Sequence, residues 1–279
     1  MYNDDHVAGW KKVVDRVHAK GGKIFLQMWH MGRQAYPGFN PRNECVAPSA
    51  LRLEVGRLRD TNGEHADYVT PRALETDEIP RVVEDYRKSA VLAKKAGFDG
   101  DEIHGANGYL VDLFLQSSTN QRTDQYGGSI ENRARFLLEV VEALKTVWLS
   151  RRIGVRLSPN GGFVGMGSPD NYEQFMYTIE QLGKHDLGYL AILDGYGFGY
   201  HEHALRGSLP TMLHGKSQLI TAFDAKKAFK GTVIANNSYT RDTAEGAVRS
   251  GAADAVGFGR AFISNPDLAE RFQNDWPLN

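Results

Sequence analysis

The sequence is most informative at residues 100–110, which run Gly100-Asp101-Glu102-Ile103-His104-Gly105-Ala106-Asn107-Gly108-Tyr109-Leu110. The pattern predicts a short strand from Gly100 to Ile103, followed by an open loop. In α/β proteins, catalytic side chains usually lie at the ends of strands. His104 and Asn107 can both donate a hydrogen bond to one oxygen, and Tyr109 carries a hydroxyl with a reference pKa of about 10. The stretch therefore predicts a site that polarises a carbonyl group and protonates a neighbouring carbon.

Predicted strands and helices alternate along the chain on both sides of this stretch. The first helix is indicated by apolar residues at helical spacing, with Asn3 or Asp4 as its cap and Gly21-Gly22 as its end. Further helices are predicted at 79–96, 130–148, 172–184, 219–229 and 241–250, and strands at 23–27, 100–103, 153–157, 189–193, 232–235 and 255–257. This alternation indicates an α/β fold of parallel βαβ units.

The number of strands is lower than a closed barrel requires. A (β/α)8 barrel needs eight strands, and the pattern predicts six. Long connections at 28–77 and 195–216 take up the remaining length, and loops of that length are usually functional. We find no internal linker, so the sequence predicts one domain over residues 1–279.

Composition excludes several classes of function. A formal charge of -1 without a basic run argues against nucleic acid, and no apolar stretch approaches the roughly 18 residues of a membrane span. Cys45 is the only cysteine, which excludes an intramolecular disulfide and indicates a reducing compartment. The first residues resemble neither a signal nor a transit peptide. We therefore expect a cytoplasmic protein, a monomer or homodimer, that acts on a small molecule.

A second motif follows, Gln121-Arg122-Thr123-Asp124-Gln125-Tyr126-Gly127-Gly128-Ser129, and then Glu131-Asn132-Arg133-Ala134-Arg135-Phe136. Together with the first motif, these stretches closely resemble the old yellow enzyme family of FMN-dependent ene-reductases. The resemblance covers essentially the whole chain. It implies a (β/α)8 TIM barrel, FMN as cofactor, NADPH or NADH as reductant, and α,β-unsaturated carbonyl substrates. It also implies that the family's first two strands and its C-terminal segment are missing, leaving an incomplete barrel of about six βα units.

The resemblance implies a role for several individual residues. His104 and Asn107 would hold the substrate's carbonyl oxygen, and Tyr109 would protonate the α-carbon. Gln27, at a strand end, would meet the pyrimidine edge of the flavin, although it could also be a polar strand cap. Trp29 matches a position that lines the substrate pocket, and core filling is an equal alternative. Arg156 would lie against flavin N1 and the C2 carbonyl; the alternative is a salt bridge at the barrel rim.

A phosphate site is implied near the end of the chain. The turns that carry Asn236, Asn237 and Ser238, and then Gly259 and Arg260, each close a strand before a helix, as in many barrels after strands seven and eight. The family usually has glycines where this chain has Asn237 and Ser238. If that turn requires positive φ, asparagine tolerates it and serine does so less well.

A His-Glu-His run, the single cysteine and Asp101 also bear on function or stability. His201-Glu202-His203 invites a metal hypothesis, but no third ligand has a convincing spacing, so we expect no metal and place these residues in a loop over the pocket. Cys45 has no nearby base and is interpreted as a structural thiol. Asp101 should face the helices, where an unpaired carboxylate is costly, so the strand either has an unidentified partner there or is weakened.

Three features favour a second hypothesis: the missing strands, Asp101 and the Asn237-Ser238 turn. In this hypothesis the chain is a truncated, non-catalytic paralogue or a gene-model fragment that binds FMN weakly. The survival of the catalytic motif argues for an active enzyme.

Overall fold

The computed structural model describes residues 1–40, 42–54, 56–162, 164–195 and 218–279, and its centre is a six-stranded parallel sheet. The strands are β1 Phe25–Met28, β2 Val46–Ala47, β3 Leu58–Arg59, β4 His65–Ala66, β5 Arg72–Ala73, β6 Gly100–Gly105, β7 Ile153–Leu157, β8 Tyr189–Leu193, β9 Val233–Asn236 and β10 Ala255–Gly257. The central sheet has the order β1-β6-β7-β8-β9-β10. The four shortest strands form two small sheets, β2 with β5 and β3 with β4.

Helices connect the strands of the central sheet. They are α1 Asp4–Ala19, α2 Ile79–Ala96, α3 Leu110–Leu115, α4 Ile130–Lys145, α5 Asn171–Gly183, α6 Ala222–Phe229, α7 Arg241–Arg249, α8 Arg260–Ser264 and α9 Leu268–Asn274. Polar caps fix several of their starts. The side chain of Asn3 accepts from the His6 N–H at 2.9 Å, and Ser129 accepts from Asn132. These bonds satisfy backbone donors that the first helical turn leaves free.

The two faces of the central sheet differ in polarity because strand side chains alternate. Ile103, Val155 and Ile192 point toward the helices and are completely buried, as part of one continuous apolar core. On the other face the register places Gln27 beside Glu102, and His104 beside Arg156. Polar side chains from neighbouring strands therefore share the inner face of the barrel.

The structure confirms the fold class predicted from the sequence, an incomplete (β/α)8 barrel. All six predicted strands and the predicted helices are present, with ends shifted by up to three residues. Helix α6 begins at Ala222 and not at Leu219, because Thr221 and Asp224 form a capping box. Within the described residues, β1 and β10 each pair with one neighbour, and no strand closes the gap between them.

Two local predictions were wrong. Strand β6 continues to Gly105, so His104 lies on the strand and not in a loop. The segment predicted to be open contains helix α3, whose six residues are all buried. The connection 28–77 also holds 3-10 turns and the two small sheets. Short apolar segments of this kind take their structure from tertiary packing, so local pattern predicts them poorly.

Asp101 has the partner that the sequence did not reveal. The carboxyl is fully buried, and its Oδ2 accepts a hydrogen bond from Trp148 Nε1 at 2.7 Å. Its Oδ1 has no hydrogen-bond partner within the described residues. Burial raises the pKa of Asp101 to about 7, against the opposing effect of the Trp148 bond.

Candidate active site

The loop after β6 is held by three hydrogen bonds from three different segments. Asn107 has a left-handed backbone, with φ of 60°, and Gly108 follows with φ of 74°. The Asn107 N–H donates to Ser158 Oγ at 2.8 Å, and the Asn107 carbonyl accepts from Gln34 at 2.9 Å. The Gly108 N–H donates to the buried carboxylate of Asp112 at 2.8 Å. The backbone of the motif is therefore fixed before any ligand binds.

Three aromatic rings form one cluster beside this loop. The rings of Trp29 and His104 are stacked, with centroids 5.9 Å apart and planes 7° from parallel. Tyr109 meets both edge-on, with its ring centroid 4.5 Å from Trp29 and 5.0 Å from His104. Trp29 is 51% exposed while His104 is 3% exposed, so the cluster has one open side. This arrangement fixes the direction of the His104 ring and of the Tyr109 hydroxyl-bearing ring relative to each other.

Burial and a nearby cation set the protonation of the cluster. Desolvation, together with the positive charge of Arg156, lowers the pKa of His104 to about 3. Desolvation also raises the pKa of Tyr109 above its ordinary value. At neutral pH the site therefore holds a neutral imidazole, one nitrogen of which is a donor, and a protonated phenol that can give up its proton.

Two polar atoms of the motif have unused hydrogen-bonding capacity. His104 Nδ1 and Asn107 Oδ1 are buried and have no partner among the residues that the structure describes. Most buried polar groups in folded proteins are paired, and such exceptions often mark functional sites. This observation, with the neighbouring Arg156 cation, fits a site built for a polar ligand.

The turn after β9 adopts the backbone that the sequence left conditional. Asn237 has φ of 108° and Ser238 has φ of 56°, so both are in the left-handed region. The side chain of Asn237 donates to the Asp194 carbonyl at 2.8 Å, and the Tyr239 hydroxyl donates to Asp194 Oδ2 at 2.5 Å. The strained turn is thus held in place by Asp194, at the end of β8.

A cavity of about 440 Å³ connects the loop and the turn. Arg156 reaches across it and donates from Nη2 to Asn236 Oδ1 at 3.2 Å, while Asn236 Nδ2 donates to the Gly257 carbonyl at 2.6 Å. The salt bridge at the barrel rim, considered as an alternative for Arg156, is absent from the ion pairs of the described residues. The cavity is lined by Asn107, Arg156, Leu193, Asn236, Asn237, Ser238, Tyr239, Gly257, Phe258, Gly259, Arg260, Ala261 and Ile263.

The structure therefore brings most of the sequence-predicted site residues together. Gln27 and Trp29 do not line this cavity; they border a separate one of about 390 Å³ at the edge strand β1. His104 and Tyr109 do not line the main cavity either; their neighbours Asn107 and Arg156 do, and Arg156 pairs with His104 in the sheet register. His201-Glu202-His203 lie outside the described residues, and the described part of the chain contains no cluster of metal-ligating side chains.

Sequence reasoning missed the residues that hold the loop, Gln34, Ser158 and Asp112. Each is distant in sequence from the backbone group it binds, except Asp112, four residues after Gly108. An acidic residue inside an apolar helix was the one signal that could have revealed it. Cys45 agrees with the interpretation as a structural thiol: it is buried, donates to the Gly32 carbonyl, and burial raises its pKa to about 11.

A parallel barrel that gathers polar side chains at the carboxyl ends of its strands is typical of enzymes that bind a phosphate-bearing cofactor. The chain belongs to the family described as NADH:flavin oxidoreductase / NADH oxidase, which matches residues 1–279. This confirms the resemblance to old yellow enzymes. The family uses FMN as cofactor and NADH or NADPH as reductant.

Three relatives show how close the similarity is. The chain is 39% identical over 279 residues to 12-oxophytodienoate reductase 2 of Arabidopsis thaliana, covering all of this chain and 71% of the relative. It superimposes on morphinone reductase in complex with tetrahydroNAD with a TM-score of 0.87 and 42% sequence identity, and the match covers 100% of this chain and 73% of morphinone reductase. It superimposes on the old yellow enzyme homologue of Zymomonas mobilis with a TM-score of 0.88 and 39% sequence identity, and the match covers 100% of this chain and 74% of the homologue.

Proposed function

We propose that this chain reduces the carbon–carbon double bond of α,β-unsaturated carbonyl compounds with NADPH or NADH, as one FMN-binding domain over residues 1–279. The observation that carries the proposal is the geometry of the motif after β6. A neutral histidine, an asparagine in a fixed left-handed turn and a protonated tyrosine lie together beside a cavity with a cation. We also propose a cytoplasmic location and a monomer or homodimer. No helix in the described residues is long and apolar enough to cross a membrane.

The residues around the cavity fit FMN. Arg156, a permanent cation on the inner face, would stabilise negative charge on the flavin ring. The left-handed turn at Asn237 and Ser238 would turn backbone N–H groups toward the phosphate, with Asn236 and Gly259 shaping the site and Arg260 supplying charge. Gln27 lies outside this cavity but on the same face of the sheet as Arg156, and it would meet the pyrimidine edge of the ring. When bound, FMN supplies the two-electron transfer between NAD(P)H and the alkene.

His104 and Asn107 would hold the carbonyl oxygen of the substrate. Because the pKa of His104 is lowered to about 3, it donates a hydrogen bond without carrying a charge. Donors placed where negative charge develops are worth roughly 10² to 10³ in rate each. Trp29, exposed and stacked on His104, would border the substrate and limit its orientations.

Tyr109 would deliver the proton to the α-carbon. Its pKa is raised by burial, so the phenol stays protonated through the neutral range and is available as an acid. General-acid catalysis of this kind contributes about 10² to 10⁴ in rate.

A second candidate is a non-catalytic chain that binds FMN weakly. The observations that favour it are the strained serine at position 238 and the edges of β1 and β10, which have no second neighbour among the described residues. The two candidates differ in which residues they require. Only the enzyme requires His104 and Asn107 to hold a carbonyl oxygen and Tyr109 to donate a proton.

Reconstitution with FMN distinguishes them. We expect the purified chain with excess FMN to oxidise NADPH faster when 2-cyclohexenone is added, and to form the saturated ketone. His104→Ala combined with Asn107→Ala should abolish this enone-dependent rate while leaving flavin absorbance on the protein. Flavin binding with no enone-dependent oxidation in the parent chain would favour the non-catalytic candidate.

A further inference from the structure

Glu102 is a charged side chain on the inner face of the barrel that the proposed chemistry does not use. It lies two residues before His104 on β6, so both side chains point to the same face. The register sets Glu102 between Gln27 on β1 and Gly154 on β7. Gln27 Nε2 donates a hydrogen bond to Glu102 Oε1 at 2.5 Å.

This hydrogen bond fixes the direction of an otherwise ambiguous side chain. A glutamine amide has a donor end and an acceptor end of nearly the same shape, and can turn over at little steric cost. A carboxylate only accepts hydrogen bonds. Glu102 therefore holds the nitrogen end of Gln27, and leaves its carbonyl oxygen and second N–H for a ligand.

Neighbouring groups hold Glu102 itself in place. Desolvation raises the pKa of the Tyr189 hydroxyl, and so do the negative charge of Glu102 and its side-chain hydrogen bond with that hydroxyl. Gly154 makes room for the Tyr189 ring, because a Cβ there would lie 2.2 Å from a ring carbon. The positive charge of Arg156 interacts favourably with Glu102 from the next strand. The carboxylate is thus placed by two hydrogen-bond donors and one nearby cation.

We propose that Glu102 is a positioning residue for the flavin, which acts by orienting the Gln27 amide so that its carbonyl oxygen accepts from a ring N–H flanked by carbonyl groups. The inference rests on the proposed function, because it places FMN at this end of the barrel. Through Gln27, Glu102 would make the chain prefer a flavin that carries a proton on N3.

The test compares FMN with 3-methyl-FMN, which cannot donate from that nitrogen. We expect the parent chain to bind FMN more tightly than the methylated flavin, by several-fold up to about tenfold for one hydrogen bond. Glu102→Gln removes the acceptor-only partner and should lose most of this discrimination, as should Gln27→Leu. In the Gln27→Leu background, Glu102→Gln should have no further effect on discrimination. Glu180→Gln, an exposed carboxylate-to-amide change on α5, should behave like the parent.

The outcomes separate this inference from the proposed function. Discrimination that survives in Glu102→Gln, or that is absent from a parent chain that binds FMN, would overturn the positioning role and leave the enzyme hypothesis standing. If the parent binds neither flavin, the proposed function fails, and urea midpoints of the flavin-free single and double variants still test the inference. Energetic coupling between positions 27 and 102 is expected, and strictly additive effects would overturn it.

Discussion

Burial decides the protonation state of the two proposed catalytic side chains, His104 and Tyr109. His104 and Tyr109 have ordinary pKa values on either side of neutrality, and desolvation moves them further apart, downward for the imidazole and upward for the phenol. Both groups are therefore neutral over a wide pH range, so each can donate a hydrogen bond or proton without first being charged. The same burial leaves His104 Nδ1 and Asn107 Oδ1 without partners in the described residues.

Tyr109→Phe tests the proton-donor role. We expect the change to slow reduction of cyclohexenone by about 10² or more, because the phenol supplies the proton in that half-reaction. Reduction of the bound flavin by NADPH should be nearly unchanged and serves as the internal control. Stopped-flow absorbance resolves the two half-reactions, and equal slowing of both would remove the assignment.

Ser238→Gly tests the strain in the turn after β9. Left-handed backbone costs a non-glycine residue roughly 1 to 2 kcal/mol, so glycine at φ of 56° should raise the free energy of unfolding by about 1 kcal/mol. Asn237→Gly is the comparison variant, and it should gain less or lose stability, because asparagine tolerates this region and its side chain also donates to the Asp194 carbonyl. Urea midpoints measure both, and a lower midpoint for Ser238→Gly would show that the serine side chain contributes more than its strain costs.

Strand β6 connects the stability of the molecule with its site. Its inner face carries Glu102 and His104, and its outer face carries Asp101 inside the helix layer. The one hydrogen bond from Trp148 does not offset the cost of burying a charge there, since the pKa of Asp101 is raised to about 7. The same strand that carries the proposed catalytic histidine therefore weakens the fold at neutral pH.

Asp101→Asn should make the stability less dependent on pH. The pKa of Asp101 is raised from 3.8 to about 7 in the folded chain, so the folded state keeps a proton that the unfolded state releases. The contribution of Asp101 to the free energy of unfolding is therefore fully present below about pH 4. It is lost as pH rises toward 7, at about 1.4 kcal/mol per unit of pKa shift. Asparagine stays neutral and can still accept from Trp148, so its advantage should appear at about pH 8 and not at about pH 4.

Urea midpoints at the two pH values decide this prediction. Some decline should remain in the variant, because burial also raises the pKa of Asp112 to about 7. Asp101→Val is a useful comparison, since it removes the charge and also leaves Trp148 Nε1 without its acceptor. An unchanged pH profile in Asp101→Asn would mean that Asp101 does not titrate as its burial indicates.

The central sheet does not close on itself within the residues that the structure describes. Among the described residues β1 and β10 have one neighbour each, and a parallel barrel buries both faces only when its edges meet. Gln27 and Trp29 lie beside the β1 edge, at the cavity of about 390 Å³. The part of the proposed flavin site near β1 is thus less enclosed than the part between Arg156 and Ser238.

The 279-residue chain, expressed alone, should retain FMN only partly and should associate. Unpaired strand edges recruit other chains when nothing covers them. Size-exclusion chromatography with detection of flavin absorbance tests both properties. An N-terminal extension that supplies two further strands should restore a monodisperse, fully yellow protein. A preparation of the 279-residue chain that is already monodisperse, stoichiometrically yellow and active would overturn this expectation.

The alternation of strands and helices could be predicted from the sequence, because period-two and helical patterns are local properties of the chain. The sequence also indicated the family, through two long motifs, and the outward direction of Asp101 toward the helices. The sequence did not show whether the turn at Asn237 and Ser238 requires positive φ; the structure shows that it does.

Tertiary structure alone decided the partners. Trp148 beside Asp101, Ser158 beside Asn107 and Glu102 beside Gln27 are each separated by more than forty residues along the chain. No local pattern encodes such pairs, because they depend on the register of neighbouring strands and on how helices pack over them. The protonation of His104 and Asp101 follows from the same packing, since burial is a property of the folded chain.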